Sequence, residues 1–388
     1  MIGSGDARVA LACFALHRAP LTFVPVPTIG GVRGSQDLRA NGMKLQEVES
    51  LLDAGANVRA YELLVDGAGA ASVTFGDGVH GARAPTGQEN LRAIYRVGIG
   101  SPGNVKAQQI SLLTSRPLGV RSVINPLSAS GGADRDGPES IRRNAPLAAL
   151  ALAPLSRLVS VSDYEYFARR FAGIGDARAQ KMADGGYECV HVTLAGVDDI
   201  PLKVDDDLVT SLRSAYDDFG DPSFPVVLGI RELVALFLQV KVALRPSADE
   251  DIVVPEIRRR LLDQFSFAKR RLAQCAYLSE LVEVIQSVRG VDWVDADVFG
   301  GITELQLRNP AALALAVAEL RKQALGGPVA TMVYCAQAMR SADAPRERVD
   351  WTPLVDGRRP RILPAQLAFL VSGVPDTLVL NVVRGRPS

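Results

Sequence analysis

The chain changes its hydrophobic period near residue 120. Before that point, short runs of β-formers stand between turn signals, at residues 21–26 (LTFVPV), 60–65 (AYELLV) and 72–75 (SVTF). Residues 91–97 (LRAIYRV) alternate apolar and polar side chains, as a half-buried strand does, and 105–113 is also β-like. A connector rich in proline and glycine follows, from Asn125-Pro126 through Gly131-Gly132 to Pro138.

Beyond the connector the spacing turns helical. One helix begins over 139–144, and a second opens at Ser162, where Glu165 three residues on completes a capping box and Gly173 ends the helix. Residues 174–181 and 187–194 read as strands joined by the hairpin signal Asp184-Gly185-Gly186. A helix over 206–219 and a long apolar strand over 233–244 come next. Helices are expected over 251–265 and over 279–289, where Leu281, Val284, Ile285 and Val288 share one face, then a strand over 291–298. Residues 309–325 form a last helix, 340–361 a polar loop, and 362–382 short apolar runs. One frame occurs twice: Ser162-Asp163 leads eleven residues later to Gly173-Ile174, and Ser279-Glu280 leads likewise to Gly290-Val291. A duplicated module and the general grammar of a capped helix entering a strand both account for it. The expected class is α+β and multi-domain. A β-rich part (1–120) is followed by two small α/β modules (121–232 and 233–305) and a C-terminal α/β tail (306–388).

Composition adds limits. At 388 residues the chain can bury a sizeable core, and its zero net charge gives no bulk attraction to nucleic acid or membrane. Cys13, Cys189, Cys275 and Cys335 lie far apart without CxxC spacing, so neither a zinc site nor a disulfide framework is expected. The longest uncharged apolar run, 145–155, has eleven residues and two prolines, too short to span a bilayer. Residues 9–16 are apolar, but Asp6 and His17-Arg18 flank them, which reads against a secretory signal.

The densest punctuation lies between Val73 and Val105, with seven glycines and two prolines. Phe75, Gly76, Asp77, Gly78, Gly81, Pro85, Gly87, Asn90, Gly100, Gly103 and Asn104 mark it as tightly turned β structure rather than a reaction centre. Gly98, Gly100 and Gly103 match GxGxxG, yet no helix opens there and no acidic residue lies about twenty positions on, as a dinucleotide site requires. Asp77 has no acidic neighbour before Glu89, so it is expected to cap local amides rather than hold a cation. Asp292, Asp295 and Asp297 fall on the open face of a strand, and Asp205, Asp206 and Asp207 gather at a helix start. His17, His80 and His191 share no ligand spacing, and His191 reads as an exposed or satisfied strand histidine. Arg258-Arg259-Arg260 and Lys269-Arg270-Arg271 read as the wet edge of an amphipathic element. No GxSxG, HExxH or Walker motif occurs, and no catalytic residue, metal ligand or cofactor is expected.

The glycine-rich stretch beginning Phe75-Gly76-Asp77-Gly78 resembles the corresponding segment of baseplate J-like proteins, which form the wedges of contractile phage tails and related injection systems. Further blocks resemble the putative baseplate assembly branch of that family: 117–134, Pro138-Glu139-Ser140, 142–146, 219–225, 261–267, 277–280, 288–291 and 298–301. Together they cover most of residues 15–305. Members usually carry a longer N-terminal region, and near residue 45 they often have tryptophan where this chain has Leu45. The resemblance implies a non-enzymatic wedge subunit that associates with itself and a second wedge protein around a sixfold baseplate. It implies contacts with hub or spike and sheath proteins, none with nucleic acid, and no membrane insertion. It implies cytoplasmic assembly into a contractile particle, with release from the cell as an option. Two other classes stay open on the residues alone. One is an enzyme or binding protein using the glycine-rich loop for phosphate or nucleotide; the other is a free-standing adhesion or carbohydrate-binding module.

Overall fold

The computed structural model describes residues 1–383 except 29, 68, 99, 116, 128, 130–131, 139–140, 143–144, 146–157, 185–186, 308, 347 and 349–360. They fold as two compact units, Met1–Gly137 and Pro138–Ser388.

The first unit is built of strands. In order they are β1 (Gly3–Gly5), β2 (Cys13–Ala15), β3 (Phe23–Pro25), β4 (Val32–Gly34) and β5 (Asp37–Ala40). Then come β6 (Met43–Lys44), β7 (Gln46–Val48), β8 (Ala60–Val65), β9 (Ala71–Phe75) and β10 (Gly87–Ile94). They make two four-stranded sheets, β1-β10-β5-β6 and β2-β9-β8-β7, and the ribbon β3-β4. The period of two explains the core. Val73 and Phe75 of β9 point inward with Leu38 and Ala40 of β5, Tyr61 of β8 and Leu91 of β10, while Ser72 and Thr74 alternate with them. Leu45 belongs to the same cluster. Strand β10 starts earlier than its alternation predicts because Gly87 pairs with Gly5. The strand expected over 105–113 does not form; that stretch is irregular.

The second unit opens with α1 (Val161–Arg170). Its cap is Ser160 with Asp163, not Ser162 with Glu165. Both pairs fit the capping-box spacing, but Glu165 instead accepts the Ala179 amide at 3.2 Å. Next are β11 (Ile174–Asp184), β12 (Tyr187–Gly196), α2 (Asp207–Phe219) and β13 (Val226–Ile230). Strands β11 and β12 pair antiparallel with Asp184 opposite Tyr187, as the hairpin signal predicts, and the turn residues Gly185 and Gly186 lie outside the described residues. Strand β13 joins β12 in parallel.

The remaining elements are β14 (Glu232–Leu244), α3 (Glu250–Gln264), β15 (Ala276–Tyr277), α4 (Leu278–Gln286), β16 (Val291–Thr303), α5 (Glu304–Leu307) and α6 (Pro310–Gly326). After them come β17 (Met332–Val333), β18 (Met339–Arg340), β19 (Ile362–Leu363), β20 (Gln366–Phe369) and β21 (Leu378–Val383). Strand β14 is the axis: it pairs antiparallel with β16 and, along its other edge, parallel with β20 and then β21. Its run from Leu233 to Leu238 is wholly apolar because both faces are covered there. Leu236, Leu238, Val240 and Val242 meet Ile257 and Leu261 of α3 and Leu281 and Ile285 of α4. Ala235 and Phe237 meet Leu313, Val317 and Leu320 of α6. Most of the helix expected over 139–144 and most of the 340–361 loop lie outside the described residues; residues 141 and 142 are helical. The repeated helix–glycine–strand frame is present, with Gly173 at φ 94° and Gly290 at φ 110°. Both lie in the left-handed region, so glycine is required at each.

Candidate functional site

The glycine-rich stretch separates into two knots. The first follows β9. Gly76 N–H donates to Ala82 O (3.2 Å), Gly78 N–H to Gly81 O (3.0 Å), and Gly81 N–H to Ala54 O (3.0 Å). A Cβ on Gly76 would stand 2.2 Å from Gly81 O and 2.4 Å from His80 O, so only glycine fits. Gly78 and Gly81 take φ of 92° and 80°. Asp77 closes the turn: its carboxylate accepts Val79 N–H at 2.7 Å and His80 N–H at 2.6 Å. The His80 and Val79 amides, and after them the His80 ring, hold the Asp77 carboxyl down at about 2. Arg83 Nε donates to Asp77 O at 2.6 Å.

The same knot ties down the N-terminus. Asn90 Oδ1 accepts Gly5 N–H at 2.9 Å while its Nδ2 donates to Pro85 O at 2.8 Å. Glu89 N–H donates to Ser4 Oγ, and Ala7 N–H to Thr86 Oγ1, each at 2.9 Å. Phe75 is buried edge-on against Phe14, with ring centroids 5.8 Å apart. Gly87 lies beside the Asn90 side chain. Every polar group of this loop that the geometry accounts for faces another part of the same fold. Asp77, the candidate cation ligand, is occupied by amides.

Gly100, Gly103 and Asn104 form the second knot, around the short turn Ser101–Gly103. Asn104 Nδ2 donates to Gly132 O at 2.7 Å, Gly132 N–H donates to Asn104 Oδ1 at 2.8 Å, and Ser101 N–H donates to Asp134 Oδ1 at 3.0 Å. This explains the GxGxxG match: the glycines serve a clasp onto 132–134, and no helix opens to receive a pyrophosphate. The sequence reading missed Ser4, Gly5, Ala54, Gly132 and Asp134, whose roles depend on segments far apart in the chain.

Apart from Gln36 in the first unit, the other buried polar side chains among the described residues lie in the second. His191 is 1% exposed, not on an open strand face, because β12 is covered on both sides. One face packs Val190, Val192 and Leu194 inward; on the other, Ala365 N–H donates to Thr193 Oγ1 at 2.9 Å, and Cys189 packs with Ala338 and Ile362. Burial pushes the His191 imidazole down to about 4. Asp176 of β11 is buried too, accepting Leu272 N–H at 2.9 Å, with Arg169 3.6 Å and Arg271 3.4 Å away. Arg270 corrects the wet-edge reading of the 269–271 cluster. It is 5% exposed and donates to the carbonyls of Ala368, Gln274 and Cys275. A guanidinium with five donors suits a place where several chain ends converge. Asp295 and Asp297 flank Lys241, at 3.7 and 2.7 Å. Among the described residues no group of three or more His, Cys, Asp or Glu could hold a metal ion, and no helix is long and apolar enough to cross a membrane.

Residues 156–229 match the family described as Baseplate J-like central domain. That span takes in the β11-β12-β13 sheet, all but Ile230, with α1 and α2. The sheet's helical side is an aromatic cluster: Phe167 stacks with Phe171, Tyr216 and Phe219, and Tyr216 Oη donates to Tyr164 O at 2.6 Å. Among solved structures, the cryo-EM structure of the anti-feeding prophage (AFP) baseplate, 6-fold symmetrised, contains a similar chain at 12% identity. The likeness covers 78% of this chain and 72% of that one with a TM-score of 0.33, too low to argue from. No curated protein matches the chain.

Proposed function

We propose, from the match of residues 156–229 to the Baseplate J-like central domain, that this chain is a wedge subunit in the baseplate of a contractile injection system or phage-tail-like particle. In this reading it associates with itself and with a second wedge protein around a sixfold baseplate, links hub or spike to sheath, and helps transmit the trigger for contraction. It assembles in the cytoplasm and works without catalysis. The single observation that carries the reading is the family match over a sheet-and-helix layer. The physical character of the rest agrees with it. Phe75, Gly76, Asp77, Gly78, Gly81, Pro85, Gly87 and Asn90 serve as one rigid structural knot, and Gly100, Gly103 and Asn104 as a second. Segments 1–120, 121–232, 233–305 and 306–388 act as its modules, with the tail strands β20 and β21 adding to the sheet of β14.

The test is electron microscopy of lysates from source cells with and without the gene. Loss of assembled contractile particles, restored by complementation, is the expected result. Intact particles that still contract in the deletion strain, with no second copy of the gene present, refute the wedge role.

A further inference from the structure

The first unit carries an arm whose apolar side chains are not covered by the rest of that unit's described residues. Leu112 is 83% exposed, Ile124 62% and Leu127 77%; Leu118 is fully exposed, and Ile110 and Val120 are open as well. Isolated exposed leucines are ordinary on a soluble surface, but this density within one segment is not.

The arm has an ordered base. Asn125 Nδ2 donates to Lys106 O at 2.9 Å and to Leu127 O at 2.8 Å. Its Oδ1 accepts Ile110 N–H at 2.9 Å, and its backbone carbonyl accepts Gln108 N–H at 2.8 Å. Ala129 N–H to Val105 O, at 2.8 Å, closes the loop below. Past this base the ladder stops. Among the described residues from Ser111 to Ile124, the one backbone hydrogen bond runs from Val120 N–H to Pro117 O at 3.2 Å. Yet the sequence here is strand-like, with Ile110, Leu112 and Leu113 on one side of the loop and Val120, Val123 and Ile124 on the other. A loop this long without secondary structure is usually either functional or a linker, and the exposed apolar side chains here favour the first.

We propose that this arm, residues 108–124, is completed by another protein subunit, adding itself as a strand to an open sheet edge of that subunit. Three observations coincide: strand-forming sequence, unpaired backbone and uncovered apolar side chains. Adding a strand to a foreign edge satisfies all three together. Charge specifies the partner further. Between Lys106 and Leu127 the sequence has three basic residues and no acidic one, so the receiving edge is flanked by acidic side chains. A lipid surface would also attract an apolar, basic segment, but would leave this non-helical backbone unpaired in hydrocarbon. The inference rests on the reading of the chain as a subunit of a larger particle.

Hydrogen exchange with mass spectrometry tests it, on the full purified chain and on assembled particles. In the isolated chain the amides of 111–124 other than Val120 exchange at the unprotected rate; in the particle they exchange slower by about tenfold or more. The double variant Leu112→Asp, Arg121→Glu keeps the melting temperature of the isolated chain, since Leu112 packs against nothing, and enters particles about tenfold less well. Protection already present in the isolated chain overturns the proposal. So does incorporation with the arm still exchanging freely, or protection by vesicles of anionic lipid but not by the particle. Particles that lack the chain altogether refute the wedge reading instead, a result read from composition rather than from exchange.

Discussion

Gly76 is the residue at which one added methyl group does most harm, because the atoms it would strike are backbone carbonyls that cannot rotate away. Gly76→Ala is expected to destabilise the first unit by about 3 kcal/mol or more. A control, Gly42→Ala, strains a positive φ of 80° but meets nothing within 4 Å, and should cost about 1 kcal/mol. Urea melts of the two variants check the order. His191 gives a pH prediction. Its folded value of about 4 lies below the ordinary 6.5, so the unfolded chain takes up the proton first as pH falls. Stability from this group is complete above pH 6.5, declines from there down to about 4, and changes no further below. The loss amounts to roughly 3 kcal/mol. Melting curves between pH 7 and 4 should show this slope, and His191→Asn should flatten it.

Among the elements, β11 is bolted to the 270–272 segment through one carboxylate. Asp176 is buried among Arg169, Arg271 and the Leu272 amide, and the Arg169 side chain is itself only 9% exposed. Asp176→Ala leaves a buried cation and a buried amide without their acceptor, at a cost of about 3 kcal/mol. Chemical denaturation should show the lower midpoint. If the midpoint of Asp176→Ala equals that of the parent, the carboxylate adds nothing to the fold. The strands and helices around it were largely legible in the sequence. The helix at 207–219 falls where its period places it, the helix at 310–326 where its run of Ala, Leu and Val after Asn309 places it, and the strand 60–65 where its β-formers do. The α1 cap was misplaced by two residues because two serines carry the same signature and only the pairing of Glu165 with Ala179 separates them.

For the whole molecule, the tail matters most to the second unit. Strands β20 and β21 line the edge of β14, and Ala365 covers β12. Removing residues 362–388 uncovers the sites of Leu363, Leu367, Phe369, Leu370 and Leu378, a loss on the order of 10 kcal/mol of apolar burial. That is comparable with the stability of an entire domain. The truncated chain should lose its cooperative melting transition, followed by near-UV circular dichroism, and a retained sharp transition would contradict this role for the tail. The connector has its own test within the wedge reading. Gly132 is unsuitable for stiffening, since a Cβ there meets Gly100 O at 2.6 Å and Asn104 Oδ1 at 2.8 Å. Gly137 has nothing within 4 Å, so Gly137→Ala restricts the chain without a clash. Assembly should proceed normally in that variant while contraction slows; an unchanged contraction rate would separate the connector from the trigger.

Local chemistry is where the sequence alone was decisive. Glycine at 76, 78 and 81 with Asp77 dictates a tight turn, because Gly78 and Gly81 take positive φ and the short carboxylate reaches the amides of Val79 and His80. Period and caps placed the helices for the same reason, each being settled within a few residues of chain. Tertiary structure alone decided the rest. It buried His191 and Arg270 by bringing the distant 362–370 segment over them, and turned a GxGxxG match into a clasp on residues 132–134. It also gave residues 105–113 only scattered bonds to 125–129 rather than a partner strand, leaving a strand-forming sequence irregular. A strand exists only where a second strand accepts its hydrogen bonds, and the neighbour's identity is not written into the strand's own residues.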